Sequence, residues 1–481
     1  MKIKRILGSV FFLLLVLCIL TGVTWLLRDR ATTLSAMYSE PDDTLDVIIV
    51  GSSHVNNGYI PNLLWEENHA SACNVFSWSQ PMWVSYHYIK ETLRTQQPSV
   101  VVLEMFGMTY GHSYIMPEEI DRTSYANSFN LDPGLNRLQL IATSERCGLD
   151  LRDSSEFLNL VRYHTRWKYL NEEMFTCNPH DQYDYLKGYG FVLAAGGLAD
   201  PAIPTPEEPF EPYEYCIEYL DKIVELCNKE GIRLILTMAP YIYNETEAGI
   251  CRWIELYAQE HGLTFLNYNG EDGKRIGFDY ATDLIDIGHC NYAGALKLTQ
   301  DLCHHLAQNH TFPAATEHPN HRALSDDLAK YHRLIPLNDI MSHETLAVWL
   351  TSALADSETT ILLYDTGNNT AASTTHHNTL EQLGKPVSQK YAVLSKDGIL
   401  SEENTVSLPL FETTGTVFFA DTPGCILING TAVPAPENTA LTMVLYDAVL
   451  QRPVQCVWID SEGTDTLSRR EFTSDILPLY Q

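Results

Sequence analysis

The sequence predicts an α/β protein built on a parallel sheet, carried behind one N-terminal membrane helix and followed by a β-rich C-terminal domain. Three observations predict it. An uncharged apolar run opens the chain. Short runs of branched aliphatics then alternate with amphipathic stretches between residues 46 and 310. Beyond about residue 330 the texture changes to closely spaced strand-like runs.

Ile6 to Leu27 is the apolar run, flanked by Lys2, Lys4 and Arg5 before it and by Arg28, Asp29 and Arg30 after it. At about 1.5 Å per residue it is long enough to cross a hydrocarbon core of roughly 30 Å. A cleaved signal peptide has a shorter apolar region and a small-x-small cleavage site, which this segment lacks. Residues 1–30 are therefore expected to be an uncleaved single-pass anchor. The cationic tail argues for a cytoplasmic N-terminus and an extracellular body.

The rest of the chain exceeds one average domain, so two cores are expected. Asp46–Val50, Ser99–Glu104, Arg233–Met238 and Leu263–Asn267 read as strands. Their continuous aliphatic runs suit strands covered on both faces, hence a parallel sheet. Helices are expected over Val84–Gln96, Pro212–Gly231 and Ala248–Gly262, with Gly231 and Gly262 as C-caps. In such sheets chemistry gathers at the carboxyl ends of the strands. Residues 108–211, rich in Tyr, Asp, Asn and Pro with a helix expected around Ser154–Leu170, read as a long insertion that builds a substrate pocket or lid. The α/β domain thus spans 31–308 and a polar linker 309–330.

In the C-terminal domain, 331–481, strands are expected over Thr360–Tyr364, Lys390–Leu394, Gly415–Ala420, Cys425–Asn429, Leu441–Tyr446 and Val454–Asp460. Gly, Asn, Pro and Asp separate them, and helices fit His343–Ala355 and Thr375–Gly384.

With 31 basic and 61 acidic residues the formal charge is −30. That disfavours nucleic acid and anionic membrane surfaces as partners and fits an exported soluble body. The eleven cysteines show no CxxC or zinc-like spacing, so neither metal nor cofactor is expected. Cys303-His304-His305 reads as the exposed end of an amphipathic helix, and Cys425 with Cys456 can pair in an oxidising compartment.

Chemistry is carried by two distant segments. Gly51-Ser52-Ser53-His54 follows a buried strand, and Asp286-Ile287-Gly288-His289 lies far downstream. A serine hydroxyl needs an imidazole to take its proton, and the imidazole needs a carboxylate to fix its tautomer. Ser53 on a strand-to-helix turn can expose its Oγ while its own N–H faces a developing oxyanion. Gly-Ser-Ser alone reads equally as a phosphate-cradling or plain turn, and Asp-x-x-His as a surface cap; the pair, in this order on an α/β pattern, points to a nucleophile with its base.

These segments resemble the SGNH/GDSL hydrolase superfamily, and more closely its membrane-anchored Gram-positive branch with a Gly-Ser-Ser-His first block. The first block is Val47–His54 and the last Asp283–Ala295, with Asn74–Met82 where the second block falls; Tyr163–Trp167 and Lys187–Tyr189 are also similar to segments of that branch. The likeness covers about residues 44 to 306. It implies a three-layer, flavodoxin-like α/β/α sheet, with Ser53 as nucleophile, His289 as general base and Asp286 as its orienting partner. Two family features differ: Ser79 or Gln80 stands where a glycine is usual, and the third-block strand ends Leu103-Glu104-Met105 without the usual Asn. The Gln80 amide is the expected substitute oxyanion donor. Glu104 reads as a ligand for substrate hydroxyls or as a plain strand-end carboxylate. His164, Arg166 and Trp167 read as a sugar or anion site or as helix packing.

In the C-terminal domain Cys425–Gly430, Leu441–Asp447 and Val454–Asp460 look like the interleukin-like EMT-inducer (ILEI-type) domain, over about residues 333–462. Some relatives recognise glycans, so the resemblance implies a carbohydrate partner; the runs read equally as a β-sandwich core. The expected function is a membrane-anchored extracytoplasmic serine esterase or O-acyltransferase acting on acyl, chiefly acetyl, esters of cell-envelope glycans. The alternative is a catalytically weak or inactive glycan-binding scaffold on the same fold.

Overall fold

A computed structural model describes residues 2–27, 32–110, 128, 130–147, 164–170, 175, 183–198, 204, 208–410, 413–420, 425–433, 435–436, 439–460 and 467–471. The chain divides into two compact units, Met1–Leu328 and Ala329–Gln481. Helix α1 (Lys2–Leu27) contains Ile6–Leu27, 22 residues of mean hydropathy 2.8, long and apolar enough to cross a membrane.

The first unit is built on five strands: β1 (Val47–Gly51), β2 (Ala72–Phe76), β3 (Val100–Glu104), β4 (Arg233–Met238) and β5 (Thr264–Asn267). All neighbours are parallel, in the order β2-β1-β3-β4-β5. That is the flavodoxin-like order, and its direction reverses between β1 and β3. Helices α2 (Ser53–Gly58), α3 (Pro61–Asn68), α4 (Met82–Thr92), α5 (Glu214–Glu230), α6 (Glu245–His261) and α7 (Tyr292–Asn309) complete the layers.

The aliphatic strands are buried because successive side chains enter different cores. Ile48 and Val50 of β1 pack with Val84 and Ile89 of α4, Ile223 of α5 and Ile254 of α6. Val47 and Ile49 face the other way, with Val55 of α2, Leu64 of α3 and Leu298 and Leu302 of α7. Helices α5 and α6 end on Gly231 and Gly262 at φ +71° and +64°, the left-handed C-caps expected of them.

Three expectations are revised. The sheet has a fifth strand, β2, whose run Ala-Cys-Asn-Val-Phe is interrupted by the fully buried Asn74. The stretch read as a linker is structured: His310 Nε2 meets Ser99 Oγ at 3.1 Å, His318 Nε2 lies 3.0 Å from the Thr44 carbonyl, and α8 (His321–Ser342) starts within it. The division between units falls inside α8. Of the helix expected over Ser154–Leu170, residues 154–163 lie outside the described residues and His164–Tyr169 form a 3-10 helix. Much of the 108–211 insertion also lies outside them.

The second unit is antiparallel β with helices α8, α9 (Leu346–Ala355) and α10 (Thr370–Gln382). Its strands are β6 (Thr359–Asp365), β7 (Tyr391–Ser395), β8 (Gly398–Ser401), β9 (Thr405–Leu410), β10 (Thr413–Phe419), β11 (Ile426–Ile428), β12 (Thr431–Ala432), β13 (Thr439–Asp447), β14 (Arg452–Asp460) and β15 (Ser468–Glu471). They form a six-stranded sheet, β15-β14-β13-β6-β7-β8, and a four-stranded sheet, β12-β11-β10-β9. Leu362, Val393 and Val444 of the larger sheet share a core with Val417, Phe419 and Ile428 of the smaller. Cys425 and Cys456 are free thiols here, so the pairing allowed by the sequence is not formed.

Candidate active site

The site lies at the carboxyl ends of β1 and β3, where the strand order reverses. β1 is buried along its whole length and ends on Gly51. A Cβ at Gly51 would stand 2.7 Å from Glu104 Cβ and 2.8 Å from Val55 Cγ2, so only glycine lets β1 run this close to the end of β3. Ser52 then caps α2, its Oγ accepting from the His54 N–H at 3.3 Å. This stop-and-cap sequence delivers Ser53 as the first residue of the helix, half-buried at the sheet edge.

The partner segment, Asp286–His289, sits on a bend. Leu284 and Cys290 form an antiparallel bridge, and the Ile285 N–H donates to the His289 carbonyl at 2.8 Å. The Ile242 N–H holds the tip through the Ile287 carbonyl at 2.8 Å. Just beyond, Asn291 caps α7 by accepting from the Gly294 N–H. Inside the bend Asp286 Oδ1 accepts from the N–H groups of Gly288 at 2.8 Å and His289 at 3.0 Å.

The same carboxylate meets His289 Nδ1 at 2.9 Å, and His289 Nε2 stands 2.8 Å from Ser53 Oγ. A carboxylate only accepts, so Nδ1 carries the proton and Nε2 is the bare nitrogen facing the hydroxyl. Partial burial acts to raise the Asp286 pKa, but the Gly288 N–H and the His289 imidazole and N–H together hold it below the usual carboxylate value. A base with its proton acceptor turned to a serine, and a charged carboxylate behind it, can deprotonate that serine as it attacks a carbonyl carbon. Such chemistry calls for no metal or cofactor.

Beneath the serine lies a dry floor. His54 is buried, stacked on Phe106 at 4.1 Å between centroids and edge-on to Tyr241 and His289. Its Nδ1 lies 3.8 Å from Glu104 Oε1. Glu104, 1% exposed, accepts from the Phe106 N–H at 3.0 Å. Burial pushes the Glu104 carboxyl up to about 8. Burial, helped by the nearby His289, pushes His54 down to about 3. At neutral pH both groups are therefore uncharged, and His54 is not the base.

The other expected site residues are placed less centrally. Ser79 adopts a left-handed backbone at φ +50°, the conformation glycine takes most readily. Gln80 is buried and its Nε2 donates to Ser85 Oγ at 3.0 Å, with Oε1 unpartnered. His164 and Arg166 lie on the 3-10 helix His164–Tyr169, Arg166 half-buried. A cleft of about 570 Å³ beyond β5 is lined by Tyr243, Arg252, Asn267, Asn269 and Lys274 and does not include the serine. Sequence reasoning missed Phe106 and Tyr241, which close the floor around His54; the aromatic residues just after β3 and β4 were the available signal. A scan against protein-family models and a search of curated proteins found no match to this sequence, so the geometry of Ser53, His289 and Asp286 is what speaks for the site.

Proposed function

We propose that this protein is a membrane-anchored, extracytoplasmic serine esterase or O-acyltransferase of the SGNH/GDSL type, acting on acyl esters of cell-envelope glycans, acetyl esters foremost. The observation that carries the reading is the relay from Ser53 Oγ to His289 Nε2 at 2.8 Å and from His289 Nδ1 to Asp286 at 2.9 Å. In the proposed reaction Ser53 Oγ attacks the acyl carbon while His289 takes its proton. The ester C–O bond then breaks, His289 returns the proton to the leaving alcohol, and an acyl-serine remains. Water or a sugar hydroxyl, deprotonated by His289, then attacks the acyl carbon; the acyl–Oγ bond breaks, His289 returns the proton to Ser53 Oγ, and the free acid or the new ester leaves.

The tetrahedral oxyanion needs donors. The reading assigns the Ser53 N–H, at the start of α2, and the Ser79 N–H, on a turn whose left-handed backbone supports a glycine-like role. The Gln80 amide, already bonded to Ser85, becomes the secondary choice. The glycan assignment rests on the resemblance of the C-terminal unit to ILEI-type modules.

A fluorophosphonate probe should label the full-length chain at Ser53. Ser53→Ala and His289→Ala should each lower acetyl-ester turnover by at least about 10³-fold. Full turnover in either variant would sink the mechanism. Tight glycan binding without any probe labelling would instead identify a scaffold on the same fold.

A further inference from the structure

The second unit holds a trio of side chains that acyl transfer does not use. Asp365 is the last residue of β6, and His376 and His377 sit side by side on α10. One ligating atom from each lies within 4.8 Å of the other two.

Local bonding leaves a bare lone pair on every member. His376 Nδ1 lies 3.1 Å from the Ala372 carbonyl, and His377 Nδ1 lies 2.6 Å from the Ser373 carbonyl. A carbonyl only accepts, so in both rings Nδ1 carries the proton and Nε2 does not. Asp365 Oδ1 accepts from the Gly367 N–H at 2.8 Å and from Ser373 Oγ at 3.0 Å, which leaves Oδ2. That Oδ2 faces His376 Nε2 at 3.5 Å. His376 is completely buried, and its Nε2 has no hydrogen-bond partner.

Two electron-rich atoms face one another in a dry place and repel unless a cation lies between them. Bonds of about 2.0–2.1 Å to a tetrahedral ion would set ligand atoms roughly 3.3 Å apart, close to the observed gap. Histidines that ligate a metal through one nitrogen typically donate the other N–H to a carbonyl, as both do here. We infer that Asp365 Oδ2, His376 Nε2 and His377 Nε2 form a site for one divalent transition cation of the zinc class. Two imidazoles and one carboxylate favour such an ion over calcium or magnesium. Exposed His377 leaves the fourth coordination position to water. The ion ties the end of β6 to α10, and the site is independent of the serine.

The test is titration of chelator-stripped, detergent-solubilised full-length chain with zinc by calorimetry, and with cobalt(II) by visible absorption. One equivalent should bind with the ligand-field bands of a low-coordinate cobalt ion. Asp365→Asn and His377→Ala should each weaken binding by at least about tenfold. His377 is exposed though its ring lies 4.2 Å from that of His376, and a circular-dichroism melt matching the parent chain checks that its removal leaves the fold intact. His304→Ala, which removes an exposed histidine on α7, should change nothing. No saturable binding, or binding undiminished in both Asp365→Asn and His377→Ala, overturns the proposal. So does an imidazolium at His376 at neutral pH that added zinc does not displace, because the cation between the two groups would then be a proton.

Discussion

Glu104 and His54, 3.8 Å apart beneath the serine, make the pH response of this fold predictable at the scale of single residues. An unfolded glutamate ionises near 4.5, whereas folded Glu104 keeps its proton to about 8. Between those values the unfolded chain has released a proton that the folded chain retains, so stability falls as pH rises from about 4.5 to 8. His54 acts at the other end. Unfolded, it protonates near 6.5; folded, only near 3, so stability falls as pH drops from 6.5 towards 3. From 4.5 to 6.5 the two slopes oppose each other. Glu104→Gln, which keeps an acceptor for the Phe106 N–H, should remove the alkaline loss. Its advantage should reach a few kcal/mol near pH 8 and vanish near pH 4.5; urea unfolding at both pH values measures it, and a pH-independent difference would refute it. The Ser53–His289–Asp286 relay was legible in the sequence because such an arrangement ties each member to a residue type and to a strand end or turn. The charge state of Glu104 was not, because it depends on Gly51, His54 and the aromatic ring of Phe106 closing around it.

At the scale of elements, the loop before the insertion's end is pinned by charge. Lys187 is buried at φ +55°, with its Nζ on Glu40 Oε1 at 2.5 Å, Asp327 Oδ2 at 2.9 Å and the Tyr183 hydroxyl at 3.0 Å. Burial alone would depress its pKa, but the two carboxylates outweigh that and hold it above the ordinary lysine value. The Lys187 carbonyl accepts from the Asn74 N–H at 2.9 Å, and Asn74 Nδ2 donates to the carbonyls of Val55 and Tyr59. One clamp thus ties this loop to edge strand β2 and to the serine helix. Lys187→Met should destabilise the chain by about 3–5 kcal/mol, because it strands two buried carboxylates. The urea midpoint tests this, and an unchanged midpoint would mean that the pair is dispensable. The same residues explain what pattern reading overlooked. Asn74 breaks the aliphatic run of β2 because its side chain serves the clamp. The supposed linker looked loose because its histidines, polar in sequence, bond the α/β unit through Thr44 and Ser99. In β3, β4 and β5 the bonded polar side chains Glu104, Thr237 and Asn267 fall toward the strand ends, so their apolar runs, like that of β1, stayed readable.

At the scale of the whole molecule, the sequence holds two opposed solvents' worth of surface. Ile6–Leu27 is apolar with a mean hydropathy of 2.8, while the chain as a whole carries a formal charge of −30. The helix is about 33 Å long at 1.5 Å per residue, enough for a hydrocarbon core. Its exposed leucines, isoleucines and phenylalanines would be a liability in water. A formal charge of −30 disfavours attraction of the body to anionic lipid. Membrane attachment should therefore rest on α1 alone. Deletion of residues 2–27 should move the chain from the detergent phase to the aqueous phase in a cloud-point partition, with Ser53 probe labelling intact. Full-length chain in whole cells should lose its body to added protease if that body lies outside, as the proposed function requires. A truncated chain that still partitions with detergent would place a second membrane-binding surface in the body, and a protected body would reverse the proposed topology.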